Sequence, residues 1–153
     1  MSIEDDIAFL SRVPALSLLG RDALRILAIG SESRYIHEGV ALFTEGEDAD
    51  GAFVVQQGSF ALTTQRSGAG EPVGPGTLLG ELALVAETKR SVTATASEPS
   101  TVVRITRQLF LKMLEGYPEA AVRMRDAIAT RANATTREFA KVRAGLARSL
   151  PQK

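Results

Sequence analysis

The middle of the chain is a series of short β-rich runs separated by turn-forming residues, and this pattern limits the folds that the chain can adopt. Between residues 35 and 105 such runs alternate with glycine, proline and aspartate, and they cover residues 52–55, 60–64, 92–96 and 102–105. Short strands at fairly even spacing are typical of closed antiparallel barrels and jelly rolls. The glycine-rich stretch 67–76 is predicted to be a loop and the most flexible element. The sequence therefore predicts a small β-barrel or jelly roll.

Helical patterns flank the β-rich middle on both sides. Residues 3–30 carry an apolar face that Pro14 interrupts, and in residues 107–150 Pro118 suits the first turn of a new helix. From residue 128 onward apolar and small residues recur at steps of four and three, at Ile128, Ala132, Thr135, Phe139, Val142, Leu146 and Ser149. This coiled-coil period predicts a homodimer seam through residues 128–149. The alternative is a helix that packs back on its own barrel.

Length and charge exclude several classes of function. The chain has 153 residues, which suits one domain, 1–153. Its formal net charge is zero and its sequence pI is near 6.6, which argues against a nucleic-acid-binding surface. The acidic N-terminus does not resemble a signal peptide, and no apolar run is long enough for a membrane span. These features, with the absence of cysteine, predict a cytoplasmic protein.

The set of reactive side chains is small. The chain has no cysteine, which excludes disulfides, thiolate metal sites and cysteine nucleophiles. His37 is the single histidine, and it is predicted to lie in a strand near the barrel rim. One histidine does not supply the several imidazoles that jelly-roll metalloenzymes use. The sequence therefore predicts neither a metal site nor an enzyme.

A phosphate-binding pattern stands in the β-rich segment. The run LGELAL at residues 79–84 precedes KRSVT at 89–93, so that a carboxylate and a guanidinium lie nine positions apart. Gly80 allows close approach of the backbone to a ligand, and a turn opening there aims N–H groups at an anion. Arg90 can donate two hydrogen bonds to phosphate oxygens, whereas Glu81 can accept from ribose hydroxyls. The pattern predicts a site for a small phosphorylated sugar.

Three ordered segments of the chain resemble the cyclic-nucleotide-binding domain family. Residues 79–93 resemble its phosphate-binding cassette, residues 36–47 resemble its early β-turn with two spaced glycines, and residues 52–58 resemble its strand that ends in glycine. The likeness covers residues 5–147. It implies an α+β, mainly β fold, namely a β-jelly-roll (double-stranded β-helix) barrel with N-terminal helices and a long C-terminal helix.

The family's layout divides the chain into three parts within one cyclic-nucleotide-binding domain. The resemblance implies N-terminal helices at 1–30, a β-roll at 31–106 that contains the cassette, and C-terminal helices at 107–150. The last of these would act as a dimer helix and as a lid over the ligand.

The resemblance also implies roles for the cassette residues. Arg90 would anchor the phosphate, Glu81 would bind the ribose 2′-hydroxyl, and Ser91 would contact an equatorial phosphate oxygen or the purine. Gly80 would let the backbone approach the ligand. The apolar side of the pocket would be formed by Leu79, Leu82, Ala83 and Val92, for which plain core packing is the alternative.

Two positions depart from the family pattern. Leu79 stands where an aromatic residue is usual, which is a mild change. Lys89 stands where proline is usual, and we expect it to loosen the loop and to add a positive charge near the phosphate. Neither change removes a ligand contact, so they bear on affinity more than on the identity of the site.

Residues 110–118 resemble the helix and loop that follow the barrel in the sensor domain of bacterial cyclic AMP receptor protein/FNR-like regulators. An ungapped alignment from there places Thr135 and Thr136 on a threonine-serine pair that in those regulators contacts adenine, one residue from each subunit. This implies cAMP in preference to cGMP. The alternative is a tolerated polar position that sets the register of the seam.

Together these features predict a stand-alone cyclic-nucleotide sensor. Binding would close the C-terminal helix over the base and signal to an unknown effector protein. The chain ends at Lys153 without a recognition helix, so no direct DNA binding is expected. Two alternatives remain open: a dimeric scaffold that binds no nucleotide, and a truncated regulator that lacks its helix-turn-helix.

Overall fold

A computed structural model of the chain describes residues 2–66, 68 and 70–127. Helices in this part of the chain are α1 (Ile3–Ser11), α2 (Arg21–Gly30), α3 (Arg107–Gly116) and α4 (118–127). Two 3-10 turns cover Ser17–Leu19 and Glu81–Leu84. The strands are β1 (Glu32–Ile36), β2 (Ala41–Phe43), β3 (Asp48–Ala49), β4 (Gly51–Gln57), β5 (Phe60–Thr63), β6 (Pro72–Val73), β7 (Leu78–Leu79), β8 (Thr88–Lys89), β9 (Thr93–Ala96) and β10 (Ser100–Thr106).

The strands form an antiparallel β-roll. One sheet has the order β1-β10-β4-β7, a second has the order β2-β9-β5-β6, and β3 pairs with β8 in a separate ribbon. Neighbours in the sheets come from distant parts of the chain: Val54 pairs with Val103, and Leu62 pairs with Ala94. The predicted jelly-roll class, with helices before and after the barrel, is confirmed.

The first helix begins where the sequence provides a cap. In α1 the Ser2 hydroxyl accepts from the amide of Asp5 at 3.2 Å, and the Asp5 carboxylate accepts from the amide of Ser2 at 3.4 Å. This reciprocal pair satisfies two amides that have no partner within the helix. The buried face of α1, Ile7 and Leu10, packs into the same core as Leu27 of α2.

Strand β4 separates two hydrophobic cores. Val54 belongs to the core between the sheet and the helices, whereas Phe53 and Val55 belong to the core inside the barrel. Because both of its faces are covered, β4 is apolar at consecutive positions and does not alternate with polar residues. Helix α3 closes the helical core through Phe110 and Met113, both with 0% of their surface exposed.

We expect Phe110→Ala to lower the free energy of unfolding by about 3–5 kcal/mol, because it removes a fully buried ring and leaves a cavity. In urea unfolding followed by circular dichroism, the midpoint should fall clearly. The neighbouring Leu111 is 43% exposed, so Leu111→Ala is the matched control and should change stability by about 0.5 kcal/mol or less. Equal effects of the two substitutions would contradict this description of the core.

The structure corrects three local predictions. Residues 67–76 are not entirely a loop, because Pro72 and Val73 form strand β6 and pair with β5. The last predicted run before the C-terminal helices is longer than expected and covers Ser100–Thr106. His37 lies just beyond the end of β1, where its ring meets that of Tyr35 edge to face at 4.7 Å between centroids.

The predicted C-terminal lid lies outside the described residues. This holds for the coiled-coil seam at 128–149 and for Thr135 and Thr136. The new helix predicted at Pro118 is present as α4 over 118–127. Among the described helices, none combines the length and the apolar character needed to cross a bilayer.

Candidate functional site

The cassette begins at a tight turn that only glycine can make without strain. Strand β7 ends at Leu79, and Gly80 adopts a left-handed conformation with φ +79° before the 3-10 turn Glu81–Leu84. Ala83 and Leu84 of this turn are buried, so the turn is packed against the interior of the protein. A Cβ atom on Gly80 would overlap Nη1 of Arg90. The turn and the arginine are therefore packed directly against each other.

Arg90 is a buried arginine that lies over two aromatic rings. The residue is only 7% exposed, and its guanidinium carbon lies 4.4 Å from the ring centroid of Phe43 and 5.5 Å from that of Phe53. Its backbone is fixed on both sides, since its amide donates to Glu47 O at 2.7 Å and its carbonyl accepts from the amide of Gly46 at 2.8 Å. The barrel core thus sets the direction of this side chain.

Arg90 is suited to an anion by a donor that lacks an acceptor among the described residues, and not by its neighbouring charges, which include carboxylates. Burial lowers the pKa of its guanidinium, while the carboxylates of Asp50 and Glu47 act in the opposite direction. An arginine in a protein nevertheless stays charged. Its Nη1 is buried, and no group among the described residues accepts a hydrogen bond from it. Buried donors nearly always have a partner, so this atom fits the oxygen of a bound anion.

The predicted cassette residues surround one cavity of about 400 Å³. Every predicted site residue between 79 and 92 contributes to its lining, namely Leu79, Gly80, Glu81, Leu82, Ala83, Arg90, Ser91 and Val92. Glu81 is half-buried, Ser91 is exposed, and Leu82 is half exposed at the rim. The structure brings these residues together, while their contact with a ligand stays a prediction.

Sequence reasoning missed several lining residues, above all Phe43. The others are Ala49, Leu62, Leu78 and Thr88, while Lys89, which was expected near the phosphate, also lines the cavity. Phe43 ends strand β2, and its ring lies 6.0 Å from that of Phe53 in a stacked arrangement. The signal available in the sequence was its place at an apolar position of the segment 36–47, which identifies a core residue but not a support for Arg90.

The presence of Lys89 where proline is usual had suggested a looser cassette, but the structure shows Lys89 in a paired strand. It lies in strand β8, opposite Asp48 of β3, and its Nζ contacts Asp48 Oδ1 at 2.7 Å. This hydrogen bond and the positive charge of Lys89 lower the pKa of the Asp48 carboxyl. Both side chains are largely exposed. The ribbon therefore ties the segment before Arg90 to the rest of the barrel.

The described residues contain no cluster of three or more histidine, cysteine or carboxylate side chains that could hold a metal ion. The polar residues that line the cavity instead supply one guanidinium, one ammonium, one carboxylate, hydroxyls and backbone amides. This donor and acceptor set can bind a phosphate and a sugar.

A family model described as "Cyclic nucleotide-binding domain" matches residues 33–117, more than half of the chain and the whole of this cavity. The chain belongs to the cyclic nucleotide-binding domain family. The resemblance recognised in the sequence is thereby confirmed.

Two solved structures share the fold and part of the sequence with this cyclic nucleotide-binding domain. A cyclic nucleotide-binding-like protein from Brucella abortus is 38% identical; the match covers 72% of this chain and 98% of that one, with a TM-score of 0.65. The N-terminal domain of a transcriptional regulator from Streptomyces coelicolor is 27% identical and covers 86% of this chain and 94% of its own, with a TM-score of 0.75.

A curated relative of this cyclic nucleotide-binding domain is the cAMP-dependent protein kinase regulatory subunit of Yarrowia lipolytica. It is 33% identical over 107 residues, which are 69% of this chain and 28% of the subunit. An NTE family protein of Mycobacterium tuberculosis is 30% identical over 71% of this chain and 19% of its own length. The chain thus spans less than a third of these curated relatives.

Proposed function

We propose that this chain is a cyclic-nucleotide sensor and that Arg90 binds the cyclic phosphate. The observation that carries the proposal is the buried guanidinium, held over Phe43 and Phe53, with a donor at Nη1 that the described residues leave without an acceptor. A phosphate oxygen supplies both the acceptor and the opposite charge. Such charge-assisted hydrogen bonds are stronger than neutral ones.

The remaining walls of the cavity suit the other parts of a nucleotide. Glu81 follows Gly80 directly and lines the same cavity as Arg90, and its carboxylate can accept from a ribose hydroxyl. The apolar side chains of Leu79, Ala83 and Val92 offer a surface to the sugar and base. A volume of about 400 Å³ lies within the range of small-molecule sites.

Within this proposal, cAMP is the preferred ligand and cGMP the second candidate. The kinase regulatory subunit that is 33% identical is named for its dependence on cAMP. Ser91 does not decide between the bases, because a hydroxyl can donate to one purine and accept from the other. Binding to Thr135 and Thr136, the homodimer through 128–149, signalling by the C-terminal helix to an effector, and the cytoplasmic location stay predictions from the sequence.

Isothermal titration with cAMP, cGMP and 5′-AMP tests the proposal. The protein is first unfolded and refolded so that any co-purified nucleotide is removed. We expect one cyclic nucleotide to bind, 5′-AMP to bind more weakly, and the bound species to stabilise the fold by about 2.7 kcal/mol at a hundred times its dissociation constant. For a chain of this size that raises the melting temperature by about 5–10 °C.

The same titration separates the alternatives. A correctly refolded protein that shows neither heat nor a thermal shift with either cyclic nucleotide would favour the scaffold. Chromatography of the nucleotide after incubation tests the proposal that the chain is a binding module and not an enzyme. We expect the nucleotide to be recovered unchanged, and its conversion would contradict that part of the proposal.

A further inference from the structure

A second arginine, Arg107, binds the backbone of two residues that line the nucleotide cavity. Its Nε donates to the carbonyl of Ala83 at 3.0 Å, and its Nη2 donates to the carbonyl of Ala49 at 2.5 Å. Ala83 and Ala49 both line the nucleotide cavity, whereas Arg107 does not. It lines a neighbouring cavity of about 560 Å³ together with Asp48, Asp50, Glu87, Thr88 and Lys89.

Local helix chemistry does not account for an arginine at this position. Arg107 is the first residue of α3, where a positive charge opposes the helix dipole. The start of the helix is already secured without its side chain. The Thr106 hydroxyl accepts from the amide of Leu109 at 3.1 Å, and the amide of Arg107 donates to the carbonyl of Asp50 at 2.6 Å. The two side-chain bonds to Ala83 and Ala49 are therefore tertiary contacts that the helix itself does not need.

The two carbonyls belong to elements that meet only in the folded protein. Ala83 lies in the 3-10 turn that begins with Glu81, and Ala49 ends strand β3 of the ribbon that leads to Arg90. They are 24 and 58 residues from Arg107 in sequence. A planar guanidinium with several fixed donors can bind both carbonyls at once, whereas a lysine ammonium is a single point of charge.

We propose that Arg107 is a positioning residue of the nucleotide site. It holds the turn that carries Glu81 at a fixed distance from the β3–β8 ribbon that carries the segment before Arg90. The effect of Arg107 on nucleotide binding rests on the proposed function. Its effect on the order of the cavity wall rests on the geometry of the cavity alone. Without the Arg107 side chain, the groups that contact the ribose and the phosphate are no longer held at a fixed distance from each other.

Hydrogen exchange in the nucleotide-free protein tests the effect on order. The amides of Ala83, Val85 and Ala86 donate to carbonyls within the turn and report its opening. In Arg107→Ala we expect these amides to exchange about tenfold faster, as loss of a charge-assisted hydrogen bond produces. Amides of Val54 and Val103 in the central strand pair should not change. Lys112→Ala, which removes an exposed charge from the same helix, is the matched control.

Titration with cAMP tests the effect on binding. We expect the dissociation constant to rise about tenfold in Arg107→Ala, to rise less in Arg107→Lys, and to stay unchanged in Lys112→Ala. In a double variant with Glu81→Ala the effect of Arg107→Ala should shrink, because the turn no longer carries the group being positioned. If Arg107 had only a structural role, Arg107→Ala would lower the melting temperature. Its effect on the dissociation constant would then be the same with and without Glu81→Ala.

The outcomes separate the two proposals. If the wild-type protein binds no cyclic nucleotide, the proposed function fails, and hydrogen exchange alone decides whether Arg107 orders the cavity wall. If the wild type binds and Arg107→Ala binds equally well, the positioning role is overturned. Unchanged exchange at Ala83, Val85 and Ala86 overturns it in either case. Should Arg107→Ala fail to fold, Arg107→Lys provides the same comparisons.

Discussion

Replacing Arg90 with alanine should weaken cyclic-nucleotide binding by roughly tenfold to a hundredfold. The variant loses charge-assisted hydrogen bonds to the phosphate, each typically worth about 1.5–3 kcal/mol. Arg90→Lys keeps a charge but loses the planar fork and the contact of the guanidinium with the Phe43 ring, so its affinity should be intermediate. Titration calorimetry on refolded proteins measures all three affinities. Arg25→Ala, which removes an exposed arginine from α2, should bind like the wild type.

The stability of nucleotide-free Arg90→Ala should change by about 1 kcal/mol or less, because two effects oppose each other. Removal of the side chain loses its contacts with Phe43 and Phe53, which are worth about 0.5–2 kcal/mol. It also relieves the burial of a charged group whose Nη1 lacks an acceptor among the described residues, a cost of about 1–3 kcal/mol. A variant that stays folded and still binds with wild-type affinity would refute the role of Arg90.

Gly80→Ala should abolish measurable cyclic-nucleotide binding or weaken it at least about tenfold. The left-handed backbone at φ +79° costs a residue with a Cβ about 1–2 kcal/mol. In addition the new methyl group overlaps Nη1 of Arg90, so the guanidinium or the turn must move. Either movement changes the site at the point where the phosphate is expected. Titration and thermal unfolding of the same sample measure both consequences.

Gly20→Ala separates backbone strain from steric overlap. Gly20 precedes α2 with φ +83° and ψ 162°, a region that is almost reserved for glycine, but a Cβ there meets no atom within 4 Å. Its substitution should therefore lower stability at least as much as the left-handed strain at Gly80 does, and leave nucleotide affinity unchanged. If Gly80→Ala and Gly20→Ala had the same effect on affinity, the overlap with Arg90 would not explain the requirement for glycine.

Much of the fold and of the candidate site follows from short segments of sequence. The glycine at position 80, followed directly by an apolar turn, is a local pattern, and the structure contains the turn that was expected to open there. The helices before and after the barrel follow from apolar periodicity, and α1 and α3 follow also from the caps at Ser2 and Thr106. Such features need only interactions between residues three or four positions apart.

The strand boundaries and the β3–β8 ribbon beside the cassette could not be predicted from local sequence patterns. Strands β6 and β8 are only two residues long, and each exists because of a partner elsewhere in the chain. Lys89 shows the consequence. By itself it is a departure from a proline pattern that suggests a looser loop, but its pairing with Asp48, 41 residues away, ties that segment down.

The sequence by itself determined that a glycine, a carboxylate and an arginine with the spacing of a phosphate cassette lie on a β-roll between helices. Only the tertiary structure decided how the arginine is held. It placed Phe43 and Phe53 under the Arg90 guanidinium, and it directed Arg107 to the carbonyls of Ala83 and Ala49. These contacts join residues that lie 24 to 58 positions apart, and no local pattern encodes which of many buried apolar or charged residues will meet. Sheet register and core packing select the partners, because they act on the whole chain at once.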